Sequence, residues 1–214
     1  MRNNLMIFTL FIFTLISCKK EGDLVLGGTP TLIGAVGNTF TSSHSISGLS
    51  SVSAEVVELN DGVSVINATA TVTNPDLANL ANALEPFYPS NIEIDGNEIS
   101  LELKMRFTDK GIASVTDDGE IILVKYDATV GDQYTATVGG TTITNTVISR
   151  STEDDYSWGW LNIKVIEVES TGHNAGGLEK VTYYANHRFG LVGIKATFDN
   201  SNIVFADIFS TNEN

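Results

Sequence analysis

The chain predicts a mainly β protein built from curved antiparallel sheets, as a sandwich or half-barrel, with one short helix near 75–84. Three observations carry this. Gly/Asn/Asp turn signals recur at Asn60-Asp61-Gly62, Asp95-Gly96-Asn97, Asp109-Lys110-Gly111, Asp117-Asp118-Gly119, Gly139-Gly140 and Asp199-Asn200. Between them lie β-branched and aromatic runs of strand length. The four prolines and 19 glycines of the 214 residues, with plentiful Thr, Ser, Val and Ile, favour strands and turns over helices.

Individual strands follow from the pattern. Ser53–Leu59 and Val63–Thr73 flank Asn60-Asp61-Gly62 as a hairpin, because both central residues of a type I′ turn need positive φ. Glu98–Phe107 alternates, with Ile99, Leu101, Leu103 and Met105 on one face and Glu98, Ser100, Glu102, Lys104 and Arg106 on the other. That is a half-buried antiparallel strand with a wet side. Leu161–Val168 alternates again, with Leu161, Ile163 and Val165 inward. One segment departs from this. In Asn74–Leu84 an N-cap asparagine precedes Pro75 at the first helical position, and Leu77, Leu80, Ala81 and Leu84 fall at helical spacing. Glu85-Pro86 and Tyr88-Pro89 end the helix.

An internal echo suggests how the strands are organised. Val36-Gly37-Asn38-Thr39-Phe40-Thr41 matches Val130-Gly131-Asp132-Gln133-Tyr134-Thr135, 94 residues later. Each opens a run of strands closing in an aromatic strand, a glycine and an aliphatic: Phe107 to Gly111-Ile112, and Tyr184 to Gly190-Leu191. Residues 35–116 and 117–210 read either as diverged copies of one β unit or as a chance echo in a Gly- and Thr-rich β protein.

In the second half, Val130-Gly131-Asp132-Gln133-Tyr134, Val165–Glu169 and Tyr183-Tyr184-Ala185-Asn186 lead to Gly190-Leu191-Val192. This resembles the DUF3108/TapB-like exported β proteins over about 80 residues. Tyr134 stands where that pattern has Trp, and His187-Arg188-Phe189 lengthens the turn. The resemblance implies a curved antiparallel sheet and no particular activity.

The first residues carry an address. Arg2 precedes a 12-residue apolar run, Leu5–Ile16, broken only by Thr9 and Thr14. This suits a secretory leader and falls short of the ~18 apolar residues of a spanning helix. Leu15-Ile16-Ser17 precedes the one cysteine, Cys18, and resembles the lipobox of bacterial lipoproteins. The resemblance implies cleavage after residue 17 and acylation of Cys18, with Leu15 and Ser17 as recognition positions. Each buried methylene contributes ~0.8 kcal/mol and a single chain binds marginally, so the multiple chains implied here would hold the protein to a membrane. Lys19-Lys20-Glu21-Gly22-Asp23 is similar to the charged export signals after the cysteine of Bacteroidota surface lipoproteins, with Gly22 interrupting the acidic pair. The expected location is the outer membrane, with surface display open. Residues 18–34 read as a flexible tether, and 35–214 as a single β-rich domain.

Loss of residues 1–17 removes Arg2 and no acid, leaving 11 basic and 26 acidic residues, a formal charge of −15. Such a charge argues against nucleic acid and extra docking on anionic lipid. With Cys18 acylated, neither a disulfide nor thiol chemistry is expected in the body. Catalytic and cofactor signatures are lacking. His44, His173 and His187 are far apart and lack ligand spacing. Glu153-Asp154-Asp155 and Asp117-Asp118-Gly119-Glu120 do not follow the alternating pattern of a calcium loop. No serine stands in a nucleophile elbow. The reading is therefore a protein with neither cofactor nor enzymatic activity.

Aromatics give the remaining signal. Tyr156, Trp158 and Trp160 alternate on an expected strand, so they share a face. Exposed, they form a stacking platform for an apolar ligand; buried, they pack against Tyr184 and Phe198. The apolar set then switches face at Leu161, implying a bulge or a passage between layers. The expected function is a lipid-anchored binding module for a hydrophobic small molecule, lined by Trp158, Trp160, Tyr156, Leu77, Leu80 and Leu84. The alternative is a structural or interaction lipoprotein that presents a surface to a partner protein.

Overall fold

The computed structural model describes residues 25–42, 48–84, 91–138, 140–173 and 175–214. The leader, Cys18, the start of the tether, His44 and the proline-rich helix stop at 85–90 lie outside the described residues. Two curled antiparallel sheets form a half-barrel with one short helix.

The first sheet meanders. β1 (Thr39–Thr41), β2 (Leu49–Asn60) and β3 (Val63–Val72) are antiparallel neighbours. The chain then forms α1 (Pro75–Leu84) and the short β4 (Ile92–Asp95) before β5 (Glu98–Thr108) pairs with β3; β6 (Gly111–Thr116) and β7 (Gly119–Lys125) follow. The β2–β3 turn has the anticipated type I′ character, with Asp61 at φ 50° and Gly62 at φ 75° and Asn60 opposite Val63.

The second sheet repeats this order. β8 (Gln133–Val138), β9 (Thr141–Arg150), β12 (Ile166–Thr171), β13 (Leu178–Asn186), β14 (Gly190–Phe198) and β15 (Ile203–Asp207) are successive neighbours. They take the places of β1, β2, β3, β5, β6 and β7. An added hairpin, β10 (Tyr156–Trp158) and β11 (Leu161–Ile163), is inserted in the chain after β9 and before β12 and forms its own two-stranded sheet.

The echoed motifs make the same bonds. Gly37 N–H donates to the Val56 carbonyl at 2.8 Å, and Val56 N–H to that of Asn38 at 2.9 Å. Gly131 N–H donates to the Val147 carbonyl at 2.8 Å, and Val147 N–H to that of Asp132 at 2.9 Å. Gly37 and Gly131 take φ of 84° and 95°, where glycine is favoured. Val56 and Val147 are both sealed in the core. At the closing motifs, Thr108 faces Gly111 and Asn186 faces Gly190. One continuous core draws Val56, Ile66, Phe107 and Val124 from the first sheet and Tyr134, Val147, Val168 and Ala185 from the second. β16 (Phe209–Ser210) then pairs with β1, so the end of the chain closes onto the first sheet.

Three expectations are corrected. The tether does not reach residue 34, because Leu26 and Ile33 are buried core residues. Pro30 bridges to Thr108, Leu26 N–H donates to Glu120 Oε2, and Glu120 also pairs with Arg106 at 2.8 Å. Leu103, on the inner face of β5, is 41% exposed. β4 flanks β5 only up to Leu101 and β6 only from Met105, leaving Leu103 at a gap between them. Finally, Leu161–Val168 is two strands: β11 ends at Ile163 and β12 begins at Ile166. Leu161 is exposed, whereas Ile163 and Val165 are buried.

Candidate functional site

The aromatic ladder is not a single strand. β10 ends at Trp158, Trp158 pairs with Leu161, and Gly159-Trp160 is the two-residue turn between them. Gly159 has φ 59°, suiting the first central position of a type II′ turn. A ladder needs three alternating residues of one strand; here the chain reverses after the second. This reversal also explains the switch of apolar face.

Trp158 is buried, its ring stacked on Phe209 at 4.5 Å and tilted against Phe189 at 4.7 Å. Its Nε1–H donates to the Ile208 carbonyl at 3.1 Å. Tyr156 stacks on Tyr184 at 5.3 Å, and burial pushes its phenol up to about 12. Phe189 and Phe209, not Phe198, complete this cluster. Trp160 at the turn is 93% exposed.

The helix leucines lie elsewhere. Asn74 caps α1 as expected, its Oδ1 accepting from Asp76 N–H at 3.0 Å and Leu77 N–H at 3.2 Å. Leu77, Ala78, Ala81 and Leu84 pack on Val72, Ile92 and Ile99 of the first sheet. Leu80 lies against Gly176 in the β12–β13 loop, where a Cβ would strike the helix backbone. Asp76 accepts from Asn200 Nδ2 at 2.9 Å and from Asn202 Nδ2 at 2.7 Å, both in the β14–β15 turn. α1 therefore bridges the two sheets, although none of its residues is fully buried.

These two sets occupy opposite faces. Tyr184 packs with Trp158, whereas its strand neighbours Tyr183 and Ala185 join the central core. Trp158 and Tyr156 are thus on the convex side of the second sheet, away from the core. The sequence expectation of one lining shared by Trp158, Trp160, Tyr156, Leu77, Leu80 and Leu84 is not how these residues are placed.

A polar chain that the sequence did not reveal runs through the second sheet. His173 Nε2 lies 2.9 Å from Ser170 Oγ, and Ser170 also hydrogen-bonds the Tyr183 phenol. Burial lowers the His173 pKa and pushes Tyr183 up to about 12. A serine–histidine contact invites comparison with nucleophilic catalysis. However, Ser170 is 0% exposed, so no substrate reaches its oxygen in this conformation. A Ser-x-x-His spacing at a strand end is too common to have marked it.

Among the described residues, a hollow of about 300 Å³ opens between Thr31, Asp109, His187, Arg188 and Asn214. No residue of α1 lines it, and Arg188, 5.1 Å from the Phe189 ring centroid, already pairs with Glu213 at 2.6 Å. No described group of three or more His, Cys, Asp and Glu side chains is placed to hold a metal. No described helix is long and apolar enough to cross a membrane. Comparison with protein-family models, curated proteins and solved structures finds no match to this chain.

Proposed function

We propose that this protein is a lipid-anchored lipoprotein of the cell envelope whose β body binds without catalysing, and that it presents a surface to a partner protein. The Leu15–Cys18 motif after a short apolar leader supports the anchor. The β10–β11 hairpin carries the choice of partner protein over small molecule. It is locked down by the buried Trp158, and it holds an almost wholly exposed indole at its tip. A large exposed aromatic on a rigid support brings contact area at little entropic cost, a property of interface anchors. With 24 acidic residues against 9 basic over residues 35–214, the body suits a partner face rich in Arg and Lys, which an indole also attracts.

Native mass spectrometry of the acylated protein, extracted from its own membrane in mild detergent, tests this reading. A discrete protein adduct that is lost in Trp160→Ser supports it. A bare lipoprotein in both forms contradicts it.

A further inference from the structure

We propose that α1 is a lid over an aliphatic site on the inner face of the first sheet, which takes one unbranched acyl chain when the helix lifts. This extends the non-catalytic binding reading and is independent of the Trp160 hairpin.

The chemistry of the covered surface sets the ligand class. Beneath Leu77, Ala78, Ala81 and Leu84 lie Leu49, Val72, Ile92, Ile94, Ile99 and Leu101, all aliphatic. Such a lining offers nothing to an aromatic edge or polar headgroup and suits a hydrocarbon chain, whose burial is favourable per methylene. The apolar face continues past the helix. Leu103 follows Leu101 on the same side of β5 and is left exposed at the gap between β4 and β6. An apolar row that runs from under a helix to a side chain exposed among the described residues gives a chain a place to enter.

The closure of α1 over the second sheet is of a kind that releases. Among the described residues it includes the paired Asp76–Asn200 and Asp76–Asn202 hydrogen bonds, both solvent-exposed, and the contact of Leu80 with Gly176. Exposed polar bonds exchange readily with water, so the pair opens spontaneously, yet while made it slows opening by about tenfold. In the closed state the helix's own side chains fill the site. An incoming chain replaces them, so the exchange is of one aliphatic contact for another.

The test uses the mature chain from residue 18 with Cys18→Ser, which keeps every described residue, and cis-parinaric acid as a fluorescent probe. The expected result is saturable binding by the parent. Binding should be about tenfold faster in Asp76→Ala and in the double variant Asn200→Ala/Asn202→Ala, as loss of the latch predicts. The double variant leaves the helix sequence intact, so it stands even if Asp76→Ala weakens α1 itself. Displacement by palmitate alone assigns a free acid; displacement by lysophosphatidylethanolamine as well assigns a lipid chain. Absence of saturable binding in the parent and both latch variants overturns the proposal. Equal rates in all three overturn it too, because the probe then enters elsewhere. Trp160→Ser should leave these rates unchanged, so failure here and failure of the partner reading are separate results.

Discussion

Trp158 and Trp160 are two residues apart in sequence, yet one is 7% and the other 93% exposed, because the chain turns back on itself between them. The first fastens a hairpin to the convex side of the second sheet, and the second is what the hairpin displays.

Their replacements should therefore behave oppositely. Trp158→Ala removes a ring stacked on Phe209 and leaves a cavity, costing about 3–5 kcal/mol in chemical denaturation. Trp160→Ser should stay within about 0.5 kcal/mol of the parent, as exposed substitutions do.

The repeated glycine turns give a matched pair. Gly37 and Gly131 both have positive φ, and a Cβ at either would meet open space. Alanine at each should cost a similar amount, about 1 kcal/mol, from backbone strain alone. Gly111→Ala should cost more, since a Cβ there would strike the Val124 carbonyl. Denaturation midpoints of the three variants decide this.

Stability should fall at both extremes of pH. His173 is held neutral by burial, so its contribution is full above the unfolded value near 6.5 and is lost as pH falls. His173→Gln should flatten that acid limb. Tyr156 and Tyr183 have phenols raised to about 12, so their contribution is intact below 10 and lost between about 10 and 12. Absorbance titration of phenolate formation, with stability measured in parallel, checks the alkaline limb.

Cys18→Ser should abolish labelling by radioactive palmitate and leave the chain at its uncleaved mass, because the lipobox resemblance makes cleavage after residue 17 follow acylation of Cys18.

Much of the β architecture was legible because it is locally encoded. Asn60-Asp61-Gly62 demands a type I′ turn, and Asn74-Pro75 demands a helix start, whatever surrounds them. The echo of Val36–Thr41 in Val130–Thr135 was legible too, and it marks equivalent turns with equivalent bonds. What escaped the sequence depends on distant partners. Leu26 and Ile33 sit in a stretch without periodicity, and only the sheet surface they meet buries them. Leu103 fits its alternation perfectly and is exposed because β4 stops short of it. Gly159-Trp160 lacks the Asn or Asp that usually marks a hairpin, so the alternation of Tyr156, Trp158 and Trp160 reads as one continuing strand. The Ser170–His173–Tyr183 chain and the bridge from Asp76 to Asn200 and Asn202 join segments whose proximity follows only from the fold.

The most direct test of the partner-presenting role is a photo-crosslinking amino acid at position 160, activated in intact cells. The same residue at Thr137, exposed on β8, serves as the control. One discrete protein adduct is expected from position 160 and none from 137. No adduct at 160, or the same adducts at both positions, would contradict it.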